Sequence, residues 1–157
     1  MAQQEPNESS AFLADHIEFL SDCYRRLTGS SLLPQQLSGV GMAKAAFHAP
    51  FVLVSHDASD DPIFTYANKT ALQLFEMNWD EFTQLRSRES AEPAKQQERA
   101  RLLSEVANKG VCEGYSGIRI SKNGRRFEIK DVTVWNLVDA AGCYRGQAAL
   151  YAAWEYL

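Results

Sequence analysis

The chain has 157 residues, 45% of them hydrophobic and 23% charged, a balance that fits one globular domain with a sizeable core rather than a disordered or fibrous chain. A formal net charge of −4 argues against nucleic acid as the main partner, and no apolar run approaches the ~20 residues that span a bilayer. The opening MAQQEPNESS has neither the basic nor the apolar region of a secretory signal. Cys23, Cys112 and Cys143, odd in number and widely spaced, suit a reducing, cytoplasmic setting better than a disulfide framework.

Residues 1–9 read as a frayed tail. Ser10 can then cap a helix over residues 10–27, with Gly29 just past its end. Leu13, Ile17, Leu20, Tyr24 and Leu27 step by 4, 3, 4 and 3, and Phe12, Phe19 and Cys23 widen that stripe. Two heptads are too few for a coiled coil. The helix is expected to lie on the domain's own sheet, with a dimer helix as the other reading. Pro34, Gly39 and Gly41 mark residues 30–41 as a connector, followed by a short helix over 42–48. Residues 10–49 are thus read as a helix and connector leading into a sheet-bearing domain over 50–157.

The stretch PFVLVSHDASDDPIFTYANKTALQLF, residues 50–75, is the most informative of the chain. β-Branched and aromatic residues at 51–54 and 63–66 suit strands, and the Asp/Ser/Pro cluster between them makes a turn. Asn68 is a good N-cap for a helix over 68–75. A second short helix follows over 80–85, then a polar loop over 86–91 and a helix over 92–108. Pro93 is tolerated in the first turn of that helix and Gly110 follows its end. Ala100, Leu103, Val106 and Ala107 are expected to form its buried face, with Glu105 and Lys109 paired outside.

The last third reads as sheet. Strands over 114–121 and 126–138 flank Asn123-Gly124, a strong hairpin signal, and a turn over 139–142 leads to a strand over 143–154. Taken by simple alternation, Phe127, Ile129, Trp135 and Leu137 share one face of the long strand and Val132 and Val134 the other. A strand apolar on both sides needs cover on each face. The central helices can supply one cover and the N-terminal helix the second.

Strand, turn, strand and an Asn-capped helix, with PIFTYAN at the junction, resemble the opening of a PAS sensor domain. HIEFLSDCYRRLTG, SRESAEPAKQQERARLLSEV, GYSGIRISKNGRRFEIKDVTVWNLVD and YRGQAALYAAW resemble the MEKHLA domain, a PAS-like module, over nearly the whole of residues 16–154. That family occurs as free-standing small bacterial proteins and at the C-terminus of plant class III homeodomain–leucine zipper proteins. The eponymous run is absent here, LADHIEFL being nearest to it, and neither homeodomain nor zipper is present, so DNA binding does not carry over. The resemblance implies an α+β fold: a PAS-like five-stranded antiparallel sheet in the order 2-1-5-4-3, central helices on one face, and an N-terminal amphipathic helix. It also implies a regulatory module, expected as a homodimer with a protein partner and a possible small-molecule ligand.

PAS-like domains hold ligands between the inner sheet face and the central helices. The candidate lining here is Phe51, Leu53, Tyr66, Leu74, Trp79, Arg88, Leu103, Tyr115, Phe127, Trp135 and Tyr151, and an ordinary filled core is the competing reading. No cysteine falls on the central helices, as the flavin-adduct mechanism of PAS-type blue-light sensors requires. His16, His48 and His56 lie off the helices that usually ligate haem, so no cofactor is assigned and no metal site is expected. Arg86, Arg88, Lys95, Arg99 and Arg101, interleaved with Glu89, Glu92 and Glu98, read as a solvated face, with the loop over 87–92 as the source of polar ligand contacts. Asp57, Asp60 and Asp61 belong to a turn. No catalytic pattern is found, so the competing functions are a ligand-sensing module, a ligand-free interaction module and, third, a small enzyme.

Overall fold

The computed structural model describes residues 4–92 and 96–157. Pro93 and Lys95, expected at the start of the last helix, lie outside the described residues.

Asn7, not Ser10, opens the first ordered turn. Its side chain accepts from the Ser10 amide at 3.1 Å while Ser10 Oγ accepts from the Asn7 amide at 3.0 Å, a reciprocal cap on a 3-10 turn over Glu8–Leu13. Ala11, Phe12 and Leu13 follow with φ near +54°, a left-handed run that costs roughly 1–2 kcal/mol per residue. Burial of Phe12 against Phe47 and His48, with ring centroids 6.1 and 5.9 Å away, offsets part of that cost. The helix α1 therefore begins at Ala14 and runs over Ala14–Thr28, capped by Gly29. α2 follows over Gly39–Phe47.

β1 (Val52–His56) and β2 (Phe64–Ala67) form the first hairpin, and α3 (Lys69–Phe75) and α4 (Trp79–Phe82) follow. A 3-10 turn over Ser87–Ser90 precedes α5 (Gln96–Lys109). β3 (Val111–Ile120), β4 (Arg126–Val138), β5 (Tyr144–Tyr151) and β6 (Ala153–Tyr156) complete the sheet. Its order is β2-β1-β5-β4-β3, all antiparallel, with β6 continuing beyond β5 along the same edge of β4. The expected order holds. The expected fifth strand is split at Ala152.

Asn68 ties the first half together. Its Oδ1 accepts from Ala71 N at 3.1 Å, as a helix cap does, and also from Leu53 N at 3.2 Å. Its Nδ2 donates to Ala46 O at 3.0 Å and Phe51 O at 2.8 Å. The amide is wholly buried and joins α2, β1 and α3.

β4 departs from simple alternation at Asp131, which takes φ +52°. The pairing with β3 shifts between Tyr115↔Val132 and Gly117↔Ile129, so one extra residue is absorbed as a bulge. Aspartate tolerates the left-handed region better than most residues. As a result Val132 and Val134 fall on the same, inner face as Ile129, and all three line one cavity. Trp135 goes to the outer face, corrected from the inner one expected by counting.

That outer face is where α1 lies. Trp135 Nε1 donates to Leu20 O at 3.2 Å, Tyr24 packs edge-on to the indole at 4.8 Å, and His16 Nε2 lies 2.9 Å from Ser55 Oγ on β1. Ile17, Leu20 and Cys23 are buried, the two large aliphatic side chains worth roughly 1.5–3 kcal/mol each. Ile17, Leu20 and Tyr24 of the stripe are thus packed within their own chain, while Leu27 stays exposed. It is Trp135, not Val132 and Val134, that receives the helix.

Candidate functional site

Beneath the inner sheet face lies a cavity of about 70 Å³. Val54, Phe64, Ile129, Val132, Val134 and Ala148 from the sheet meet Phe75, Leu102 and Leu103 across it. The volume is about half of the ~150 Å³ cavity that admits benzene, yet enough for water.

Of the eleven residues proposed from sequence, the structure brings Leu103, Tyr115 and Tyr151 to this wall. Phe127 joins an aromatic cluster, 5.3 Å from Phe75, which packs in turn on Phe82. Tyr66 meets Trp79 at 5.9 Å and His16 at 5.8 Å. Leu53 and Leu74 are buried elsewhere in the core, and Phe51 packs partly buried against it at the Asn68 junction. Arg88 lies on the surface, with Nε 3.0 and 3.1 Å from the two Asp61 carboxylate oxygens. Trp135 is under α1, as described.

The sequence reading missed two arginines in the cavity wall. Arg99, expected in a solvated basic run, lies one turn before Leu102 and Leu103 and two before Val106, on the buried side of α5. The side expected to be buried is exposed at Ala100 and Ala107, and the charge pair on α5 is Arg101–Glu105 at 2.9 Å. The spacing 99, 102, 103, 106 carried the signal. Arg119 alternates with Tyr115 and Gly117 along β3. A Cβ at Gly117 would stand 2.8 Å from the Tyr115 hydroxyl and 3.0 Å from Arg119 Nη1, so the missing side chain lets these two groups share one space.

The polar end of the cavity is short of partners. Arg99 Nη2 donates to Ser87 Oγ at 2.7 Å and Arg119 Nη1 to Ile118 O at 3.0 Å. Asp61 serves Arg86 and Arg88 instead. Among the described residues no carboxylate forms an ion pair with Arg99 or Arg119. Burial, and then the like charge of Arg119, lowers the Arg99 pKa. The hydroxyls of Tyr115 and Tyr151 are buried without a hydrogen-bond partner in the described protein, which costs roughly 1–3 kcal/mol each if left so. Burial pushes the Tyr151 phenol up, Arg119 opposing. His56 also lines the cavity; its Nδ1 donates to Asp57 O at 2.8 Å, and burial lowers its pKa. Ser87 and Ser90 of the loop over 87–92 complete the wall.

Among the described residues no three His, Cys, Asp or Glu side chains gather as metal ligands, and no helix is long and apolar enough to cross a membrane. Cys23 is buried on α1, Cys112 lies in β3 and Cys143 is exposed. None lines the cavity.

The sequence profile of the MEKHLA domain matches residues 14–156. No curated protein matches the chain. Among solved structures, a PAS domain from Colwellia psychrerythraea is similar at a TM-score of 0.61 and 17% identity, over 70% of this chain and 91% of that one. An RNA-binding light-oxygen-voltage receptor gives 0.63 and 21%, over 77% of this chain and 34% of that one, so the likeness reaches about a third of that longer protein. A light-oxygen-voltage domain studied with a flavin analogue gives 0.59 and 17%, over 74% and 84%. At these identities the likeness concerns the fold, which is α+β and PAS-like.

Proposed function

The chain belongs to the MEKHLA domain family, and on that premise we propose that it is a regulatory module that takes up a small ligand in the cavity under its inner sheet face and signals through contact with a partner protein. One observation carries this reading: two buried phenol hydroxyls without hydrogen-bond partners and two arginines without carboxylates, among the described residues, face one small space whose sheet wall is largely apolar. Native cores seldom leave such groups unsatisfied, so something with acceptor atoms belongs there. The route outward is short. Val132 and Val134 touch the cavity while Trp135, next in the same strand, holds α1.

A cavity half the size of one that takes benzene has no room for a three-ring isoalloxazine. A flavin is therefore not the expected ligand, and the protein should purify without a flavin or Soret absorption band. The small volume, below the ~300–1,000 Å³ of ordinary ligand pockets, favours a second reading, an interaction module with a nearly filled core. A cytoplasmic location and a second copy of the chain as one partner belong to the same proposal.

Native mass spectrometry of the purified protein, beside Ala148→Leu, separates the readings. Ala148 is buried in the cavity wall. Ligand sensing predicts a small bound mass on the wild type that the filled variant loses. No bound mass, with Ala148→Leu as stable as wild type or more so, supports the filled-core module.

A further inference from the structure

We propose, resting on the cavity reading above, that the ligand is a short-chain carboxylate whose tail enters between Ile129, Val132 and Val134 and whose charged end meets Arg99, Arg119 and the hydroxyls of Tyr115 and Tyr151. Each part of the ligand follows from one part of the wall. The 70 Å³ volume, scaled from the ~150 Å³ cavity that holds the six carbons of benzene, admits roughly three heavy atoms, so with the carboxylate counted the tail is one carbon, two at most. The valine and isoleucine side chains reward an apolar tail and give nothing to a polar one.

The polar part of the wall is mostly donors, with Gln147 Oε1 as a buried acceptor that also lacks a partner among the described residues. Two guanidiniums without an ion-pair partner and two phenol hydroxyls without a hydrogen-bond partner, among the described residues, offer hydrogens, and a carboxylate accepts about four such bonds. Bonds to an ionised acceptor are about twice as strong as neutral ones. Water satisfies the phenols but leaves the paired positive charges uncompensated. A neutral amide of the same shape accepts at one oxygen and can give one hydrogen to Gln147 Oε1, but it leaves the two guanidinium charges uncompensated. An inorganic tetrahedral anion answers the arginines and leaves the apolar wall empty. The organic anion answers the arginines, the phenol hydroxyls and the apolar wall together.

Thermal melts at constant ionic strength, with acetate, propionate, butyrate, propionamide and sulfate as added probes, test this. Propionate at a hundredfold excess over its Kd should raise Tm by roughly 5–10 °C in a domain of this size, and propionamide and sulfate should not. Arg99→Met and Arg119→Met should each weaken propionate roughly 10- to 100-fold. If either variant fails to fold, the wild type alone suffices: isotope-labelled propionate should give nuclear Overhauser contacts to the Val132 and Val134 methyls. Equal shifts from propionate and propionamide overturn the carboxylate assignment while leaving a ligand cavity in place. Equal shifts from sulfate reduce the effect to general anion binding and overturn it too. No shift and no methyl contact from any organic probe removes the assignment, and a small mass bound in the native spectrum would then keep the cavity reading alone.

Discussion

Replacing Asn68 tests how the first half of the domain is held. Alanine there removes the two bonds accepted by Oδ1 and the two donated by Nδ2, all in a site with no exposed surface. At about 1 kcal/mol net per bond the loss is about 4 kcal/mol, a large share of the ~5–15 kcal/mol that a domain possesses. In this size range that lowers Tm by roughly 8–16 °C. Urea unfolding should show a lower midpoint with an unchanged slope. Asn68→Asp keeps the acceptors but turns a carboxylate toward the carbonyls of Ala46 and Phe51, which favour its protonated form. The folded pKa of that aspartate then lies above its unfolded value near 4. Its stability is full below pH 4 and falls as pH rises toward the folded pKa, so the variant should be more stable at pH 4 than at pH 7 relative to Asn68→Ala. A loss of only about 1 kcal/mol for Asn68→Ala, the worth of an ordinary helix cap, would refute the argument.

Two further outcomes follow from α1. Leu20→Asp puts a charge into the buried interface with the outer sheet face, so Tm should fall sharply while the molar mass by light scattering stays that of the wild type. A change of oligomeric state would show instead that the helix joins two copies. His16, buried against Ser55, is pushed down to about 4 from 6.5 by desolvation. Its neutral form supports the fold fully above pH 6.5, and that support drains away as pH falls toward 4, by about 3 kcal/mol in all. His16→Gln should lack this part of the acid dependence, and identical stability–pH curves for the two proteins would contradict the assignment.

Most of the elements were readable because local signals agreed with each other. The Asn123-Gly124 hairpin, the Asp139–Gly142 turn, the cap at Asn68 and the helix stripe at Ile17 and Leu20 each name an element, while the sheet order is what the resemblance to PAS domains implies. What could not be read depends on tertiary context. A bulge needs only one residue that tolerates positive φ, and many aspartates that tolerate it are never asked to adopt it. Asp131 therefore gives no advance notice, and Trp135 and the two valines were placed on exchanged faces. Arg99 is a different failure. Its position on the apolar side of α5 was visible in the spacing, but a run of alternating charges outweighed it. Arg88, from the same charged run, belongs instead to Asp61 at the surface.

The bulge at Asp131 acts on β4 as a reading frame acts on a message. Everything before it keeps its face, and everything after it takes the face its neighbour would have had. Removing that single residue would leave Phe127 and Ile129 in place while turning Trp135 into the cavity and presenting two valines to α1. The same deletion in the 139–142 turn only shortens a loop. Length variation in this molecule should thus be confined to its turns, and the middle of β4, which looks like ordinary strand, is where one residue more or less exchanges the inside of the protein for its outside.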